Sequence, residues 1–199
     1  MAWCGSSIFC FRCRLFGSGG QFGHVQMKDL PKVQLDTTHM GGDVVIVKNG
    51  RRICGTGGCV ANAPLVQNKS YFEIKVQSSG IWGVGIATRN SNLNKVPLGT
   101  DVDSWVLTHS GILMHNDEEK GKLPEAPQEG DVVGMTFDHM EFTFHVNGQN
   151  QNCFFTGVRG TVYPVLYVDD GAILDVQFNG FYHSPPPGFE EIMIEQSLL

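Results

Sequence analysis

Residues 71–90 read YFEIKVQSSGIWGVGIATRN, two strand-forming runs separated by Ser78-Ser79-Gly80. In the first run Phe72, Ile74 and Val76 alternate with Tyr71, Glu73, Lys75 and Gln77, the period of two that marks a strand with one buried face. In the second, Ile81, Trp82, Val84, Ile86 and Ala87 crowd around Gly83 and Gly85 with no polar relief. This predicts a strand covered on both faces. A short Ser-Ser-Gly connection between two such runs predicts a central hairpin.

The same signals recur on either side. Upstream, Val44-Val45-Ile46-Val47 is a β-branched run closed by Asn49-Gly50, a dipeptide suited to the positive φ angles of a tight hairpin turn. Residues 51–60 should return as a strand pair interrupted by Gly55, Gly57 and Gly58. Downstream, Ser104–Leu107 and Gly111–Met114 read as short strands, and residues 91–103 and 116–128 as surface loops. The cleanest runs are Asp131–Phe137 and Glu141–Val146, the second ending at Asn147-Gly148. Residues 162–168 and 173–178 flank the turn Asp169-Asp170-Gly171. About ten short strands at regular spacing predict an all-β domain, a two-sheet sandwich or a barrel.

With 199 residues the chain can build one sizeable core. It carries 25 Gly, 9 Pro and 13 Phe and no long helical pattern, as short strands and many turns require. A formal charge of −6 gives no general attraction to phosphate backbones, and the basic cluster Lys48, Arg51 and Arg52 is small, so nucleic acid is not expected as a partner. No stretch approaches the roughly 20 apolar residues of a membrane-spanning helix. Residues 1–24 differ from the rest: Cys4, Cys10 and Cys13 lie among Phe, Ile and Leu with Arg12 and Arg14, before a Gly-Ser-Gly-Gly linker. The apolar run near Ile8 is short and broken by arginine, so no secretory leader is expected, and the reading is cytoplasmic with reduced thiols. The domain division is therefore a cysteine-rich appendage (1–24), an extended lead-in (25–43), a β-sandwich (44–189) and a tail (190–199).

Several stretches together resemble the SPRY domain family: Tyr71-Phe72-Glu73, Gly80 and Trp82 followed by Val84-Gly85-Ile86-Ala87, Ser104-Trp105, Gly130–Gly134, Asn147-Gly148, Tyr163-Pro164-Val165 and Phe178, in matching order and spacing. The resemblance implies a bent β-sandwich of two antiparallel sheets that binds other proteins through loops at one end, without catalysis. It also assigns Trp82 and Trp105 to the core, the usual place for large aromatic side chains in a sandwich.

Cys10-x-x-Cys13 lacks the second ligand pair of a zinc site, so no metal is expected. Gly55-Thr56-Gly57-Gly58 lacks the Gly-Lys-Ser/Thr ending and following helix of a phosphate cradle. A nucleophile elbow is missing, and Asp117-Glu118-Glu119 lacks the alternating ligands of a calcium loop. No cofactor is expected. The leading function is a non-enzymatic interaction module, an adaptor or scaffold, that takes a protein or short peptide on its loops. Candidate contacts are Arg51, Arg52, Pro97, His115, Asp169 and Asp170. Where a peptide-binding subset of the family carries Trp, this chain has Asp169-Asp170, and an anionic turn favours a basic partner. Cys4, Cys10 and Cys13 are candidates for S-acylation, which with the flanking arginines would give peripheral membrane contact. Two other readings stand beside this one: a structural subunit of a larger assembly, and a thiol-dependent enzyme using Cys59 or Cys153 with a histidine.

Overall fold

The computed structural model describes residues 32–194. Their secondary structure is entirely β, with fourteen strands among the described residues. These are β1 (Leu35–Met40), β2 (Asp43–Val47), β3 (Arg52–Ala61), β4 (Ser70–Ser78), β5 (Ile81–Ala87), β6 (Ser104–Thr108), β7 (Ile112–His115), β8 (Glu118–Lys122), β9 (Val132–Phe137), β10 (Glu141–Val146), β11 (Gln149–Thr156), β12 (Tyr163–Asp169), β13 (Ile173–Gln177) and β14 (Glu190–Glu191).

Sheet I runs β1-β3-β12-β5-β6-β7-β8, and sheet II runs β2-β3-β13-β4-β9-β10-β11. All pairings are antiparallel except the two-residue contact of β14 with the start of β4. The inner faces meet in one large core containing Phe72, Ile74, Val76, Trp82, Val84, Ile86, Phe142, Phe144 and Phe155. The architecture is the expected bent sandwich of two antiparallel sheets.

Two local expectations change. The run 71–90 is not a hairpin: β4 pairs with β9 and β13 in sheet II, whereas β5 pairs with β6 and β12 in sheet I. The Ser-Ser-Gly break is an arch that carries the chain from one sheet to the other. Both runs keep the burial their patterns predict, because periodicity reports which face is covered and is silent about which strand lies alongside. Residues 51–60 are likewise one strand and not two. The first half of β3 pairs with β2 and β13, the second half with β12 and β1, so a single strand serves both sheets. Gly55 (φ 91°) and Gly57 (φ 125°) make that bend, and a Cβ on Gly55 would lie 2.3 Å from the Asp43 carbonyl oxygen.

The outer faces are also partly covered. On sheet II, Glu73 is fully buried beneath residues 181–183: its carboxylate accepts the Tyr71 hydroxyl (2.7 Å) and the amides of Tyr182 (2.7 Å) and His183 (3.0 Å). On sheet I, Leu93 and Leu98 from the 91–103 loop close a second, smaller core with Val60, Ala87, Val106, Val165 and Tyr167. That cover explains why β5 is buried on both faces. Residues 116–128, expected as loop, contain the exposed edge strand β8. The stretch expected as an extended lead-in holds β1, with Leu35 buried against β3, and Ile192 is buried within the stretch expected as tail.

Candidate binding site

The turn between β12 and β13 crosses between the sheets just as the β4–β5 arch does, and the two arches pack against each other. A Cβ on Gly80 would lie 2.5 Å from the Asp170 carbonyl oxygen, so only glycine allows this approach. Asp170 (φ 48°) and Gly171 (φ 78°) turn the chain in the left-handed region, where Asp and Gly are tolerated. The Asp169 carboxylate accepts the Thr56 hydroxyl and the Asp170 amide, both at 2.9 Å. This ties the acidic turn to the bend of β3. Asp170 remains exposed.

The 91–103 loop is fastened to the same bend. The Gly58 amide donates to the Leu93 carbonyl (2.7 Å), and the Gly42 amide donates to Asn94 Oδ1 (2.8 Å). At its other end the Ser104 hydroxyl donates to Asp101 (2.8 Å) while accepting the Gly99 amide (2.8 Å). Buried Leu93 and Leu98 anchor the loop, which leaves Pro97 exposed on its crest.

Between that crest and the β6–β7 turn lies an open trough of about 310 Å³, lined by Ile81, Pro97, Thr108, His109, Ile112, Met114 and Tyr167 among its walls. Its floor follows from register. Tyr167, Gly83 and Thr108 stand opposite one another across β12, β5 and β6. Because Gly83 has no side chain, the Tyr167 ring lies across it, and a Cβ there would be 2.2 Å from the ring. The Tyr167 hydroxyl is buried and has no hydrogen-bond partner among the described residues. Burial pushes its pKa up, so it stays a neutral phenol. An unpartnered buried hydroxyl costs on the order of 1–3 kcal/mol. Ile81 at one end of the trough pairs with Asp169, which sets the acidic turn beside the apolar walls.

A family model, the SPRY domain, matches residues 69–181. The chain is 62% identical over 195 residues to SPRY domain-containing protein 7 of Bos taurus, covering 97% of this chain and 98% of that one. The chain belongs to the SPRY domain family. Solved structures agree at the level of fold. The SPRY domain of human HERC1 superposes with a TM-score of 0.62 at 18% identity, covering 71% of this chain and 96% of that one. The TRIM65 PSpry domain gives 0.61 at 15% identity, covering 74% and 90%. SPRY domains are in general protein-interaction modules.

In this SPRY domain the six candidate contacts part company. Pro97 lines the trough, and Asp169 and Asp170 form the turn at its end. Arg51 instead donates to Gln177 Oε1 (3.2 Å) and Asn179 Oδ1 (2.6 Å). Arg52 holds Asp175 through two hydrogen bonds, at 2.5 and 2.8 Å, and Lys48 adds a third at 3.1 Å. These cations fasten the β2–β3 turn to β13. His115 stacks on Trp105 with ring centroids 4.5 Å apart, and its Nδ1 lies 2.9 Å from the Ser104 carbonyl. All three are engaged inside the fold. Ile81, Met114 and Tyr167 were not singled out in the sequence. Alternation could place Tyr167 on one face of a strand, but only register reveals that it lies over Gly83.

The thiol positions are equally specific. Cys59 is buried, its pKa is pushed up by burial to about 12, and it donates to the Asp36 carbonyl at 3.5 Å. It is a thiol, not a thiolate, at neutral pH. Cys153 donates to the Lys122 carbonyl at 3.1 Å. Among the described residues no three His, Cys, Asp or Glu side chains converge on a metal position. Cys4, Cys10 and Cys13 lie outside the described residues.

Proposed function

We propose that this SPRY domain is a non-enzymatic adaptor that recognises a protein partner at the end of the sandwich where the 91–103 loop, the bend of β3 and the β12–β13 turn meet. One observation carries the reading: an open apolar trough lies beside an acidic turn, on loops pinned to the bend of β3 by a backbone hydrogen bond from Gly58 to Leu93 and a side-chain one from Thr56 to Asp169. Apolar walls supply affinity, and a charge at the edge supplies orientation and discrimination. With Asp169 and Asp170 at that edge, the partner segment is basic. The raised pKa of Cys59 counts against a thiol-enzyme reading.

The test is capture of cellular partners by the full chain, with Asp169→Lys/Asp170→Lys compared against wild type. Loss of the captured set with an unchanged melting temperature supports the site; an unaltered set removes the acidic turn from it. The reading extends to the amino terminus: S-acylation of Cys4, Cys10 and Cys13, with Arg12 and Arg14 beside them, would hold a cytoplasmic domain at an anionic leaflet. Hydroxylamine-sensitive acyl exchange on those three thiols tests this. Absence of labelling in cells ends the anchoring proposal.

A further inference from the structure

We infer that the outer face of sheet II carries a second binding site, a hollow on β10 beneath residues 186–189 that takes an arginine side chain from a partner. It shares no residue with the trough beside Pro97, and so goes beyond the interaction reading above.

Register makes the hollow. Thr136 on β9 stands opposite Thr143 on β10, so two short side chains lie together on the outer face. The segment after β13 leaves about 220 Å³ above them, walled by Pro186 and Phe189. Glu141 and His145 share that face of β10 with Thr143, one on either side of it.

His145 marks the hollow as a site. It is only 6% exposed. Its Nε2 lies 3.4 Å from the Thr136 hydroxyl, and its Nδ1 has no hydrogen-bond partner among the described residues. That nitrogen is not sealed in the fold: among the described residues, the enclosed side-chain atoms left without a partner are Ser70 Oγ and the Tyr167 hydroxyl. The ring borders the hollow, and its remaining surface opens there. Burial lowers the His145 pKa, so at neutral pH the imidazole offers a lone pair and adds no positive charge.

Charge decides the occupant. Glu141 is exposed at the rim, and its carboxylate makes no hydrogen bond or ion pair among the described residues. Asp138 adds a second carboxylate, whose Oδ1 accepts the amides of Met140 (3.0 Å) and Glu141 (2.8 Å). Lys69, 5.1 Å from the centre of the Phe189 ring, sets one positive charge against these two negative ones. An anion would be repelled, and an apolar side chain would cover His145 and the threonines without satisfying them. Four positions separate Glu141 from His145, about 13 Å of strand, with Thr143 midway. A guanidinium carries donors on several edges and reaches more than one of these acceptors at once, whereas an ammonium is a point charge. Pro186 and Phe189 give its stem an apolar wall.

The experiment titrates capped Gly-Ser-X-Ser-Gly peptides, where X is Arg, Lys or citrulline, into the isotope-labelled full chain and follows them by NMR. The Arg peptide should shift the amides of Thr136, Thr143 and His145 and the His145 ring signals. Citrulline has the same shape without the charge and should bind at least about tenfold more weakly, the worth of a hydrogen bond to a charged group; Lys should fall between. E141Q should erase most of the preference for Arg over citrulline. T143M, which fills the hollow, should abolish the β10 shifts at an unchanged melting temperature, and Asp169→Lys/Asp170→Lys should leave them intact. Equal binding of Arg and citrulline by wild type overturns the inference, as do β10 shifts that persist in T143M. Arg-peptide shifts confined to Gly80 and Asp170 also overturn it and leave the interaction reading standing. Charge-selective β10 shifts, alongside partner capture indifferent to Asp169 and Asp170, would uphold this site and remove that reading.

Discussion

At the scale of single residues, two groups show how this fold handles buried polarity. The Tyr167 hydroxyl lies buried over Gly83 without a partner among the described residues. Removing it should stabilise the unliganded protein, so Y167F should gain about 1 kcal/mol in denaturant unfolding, read as a higher midpoint with unchanged slope. Asp175 is the opposite case. Desolvation raises its pKa, but the hydrogen bonds from Arg52 and Lys48 outweigh that and hold the carboxyl below its ordinary value. A depressed carboxylate contributes stability that is present above its unfolded pKa of about 3.9 and is lost as pH falls through the folded value. R52A should therefore cost about 2 kcal/mol at pH 7. Its deficit relative to wild type should shrink as unfolding is measured at successively lower pH below about 4. A deficit that stays constant across that range would place the effect in packing and not in the ion pair.

At the scale of the element, β3 is the decisive strand because it belongs to both sheets. Its glycines carry no catalytic meaning. Gly55 adopts a φ of 91° against the Asp43 carbonyl, and Gly57 a φ of 125° beneath the Leu93 carbonyl, which is 3.1 Å from where a Cβ would stand. Any Cβ at Gly55 must both adopt a left-handed backbone and displace the β2 main chain. G55A should cost about 3 kcal/mol, strain and clash combined. It should also loosen the trough end, because Gly58 and Thr56 on the same bend anchor the 91–103 loop and the acidic turn. Hydrogen exchange should show that coupling as lost protection at the amides of Gly42 and Gly58. Selective destabilisation without that change would separate the bend from the site.

At the scale of the whole molecule, the segment after β13 works as a cover for sheet II. Phe181 packs edge-on against Tyr71 at 4.8 Å, Lys75 sits 5.3 Å from the centre of the Tyr182 ring, and Glu73 accepts the Tyr182 and His183 amides. A single buried carboxylate thus links the sheet to a stretch of chain more than a hundred residues later. E73A leaves one hydroxyl and two amides without their acceptor and should cost on the order of 3 kcal/mol. The amides of Tyr182 and His183 should then exchange rapidly, while those of β5 and β12 in sheet I retain their protection. Uniform loss of protection across both sheets would show that the cover is needed for the sandwich itself.

The sequence by itself determined the β class, the strands of the central and C-terminal runs, the turns at Asn49-Gly50 and Asn147-Gly148, and the family; it did not place β1, β8 or β11, nor show that residues 51–60 are one strand. What it did determine follows from local chemistry: alternation assigns faces, and Asn-Gly supplies positive φ. Pro97, Asp169 and Asp170 were legible as loop residues for the same reason. The tertiary structure alone decided that residues 71–90 join two sheets, that Glu73 is buried, that Arg51, Arg52 and His115 are spent on internal contacts, and that Tyr167 lies across Gly83. Each of these depends on pairing between strands distant in sequence, and a period of two carries no information about which strand lies alongside. Glu73 read as one of the polar positions of a half-buried strand because the segment that covers it comes more than a hundred residues later. Tyr167 read as one more residue of a strand because its significance comes from Gly83, which it covers and which lies on β5, far away in sequence and adjacent only in the sheet.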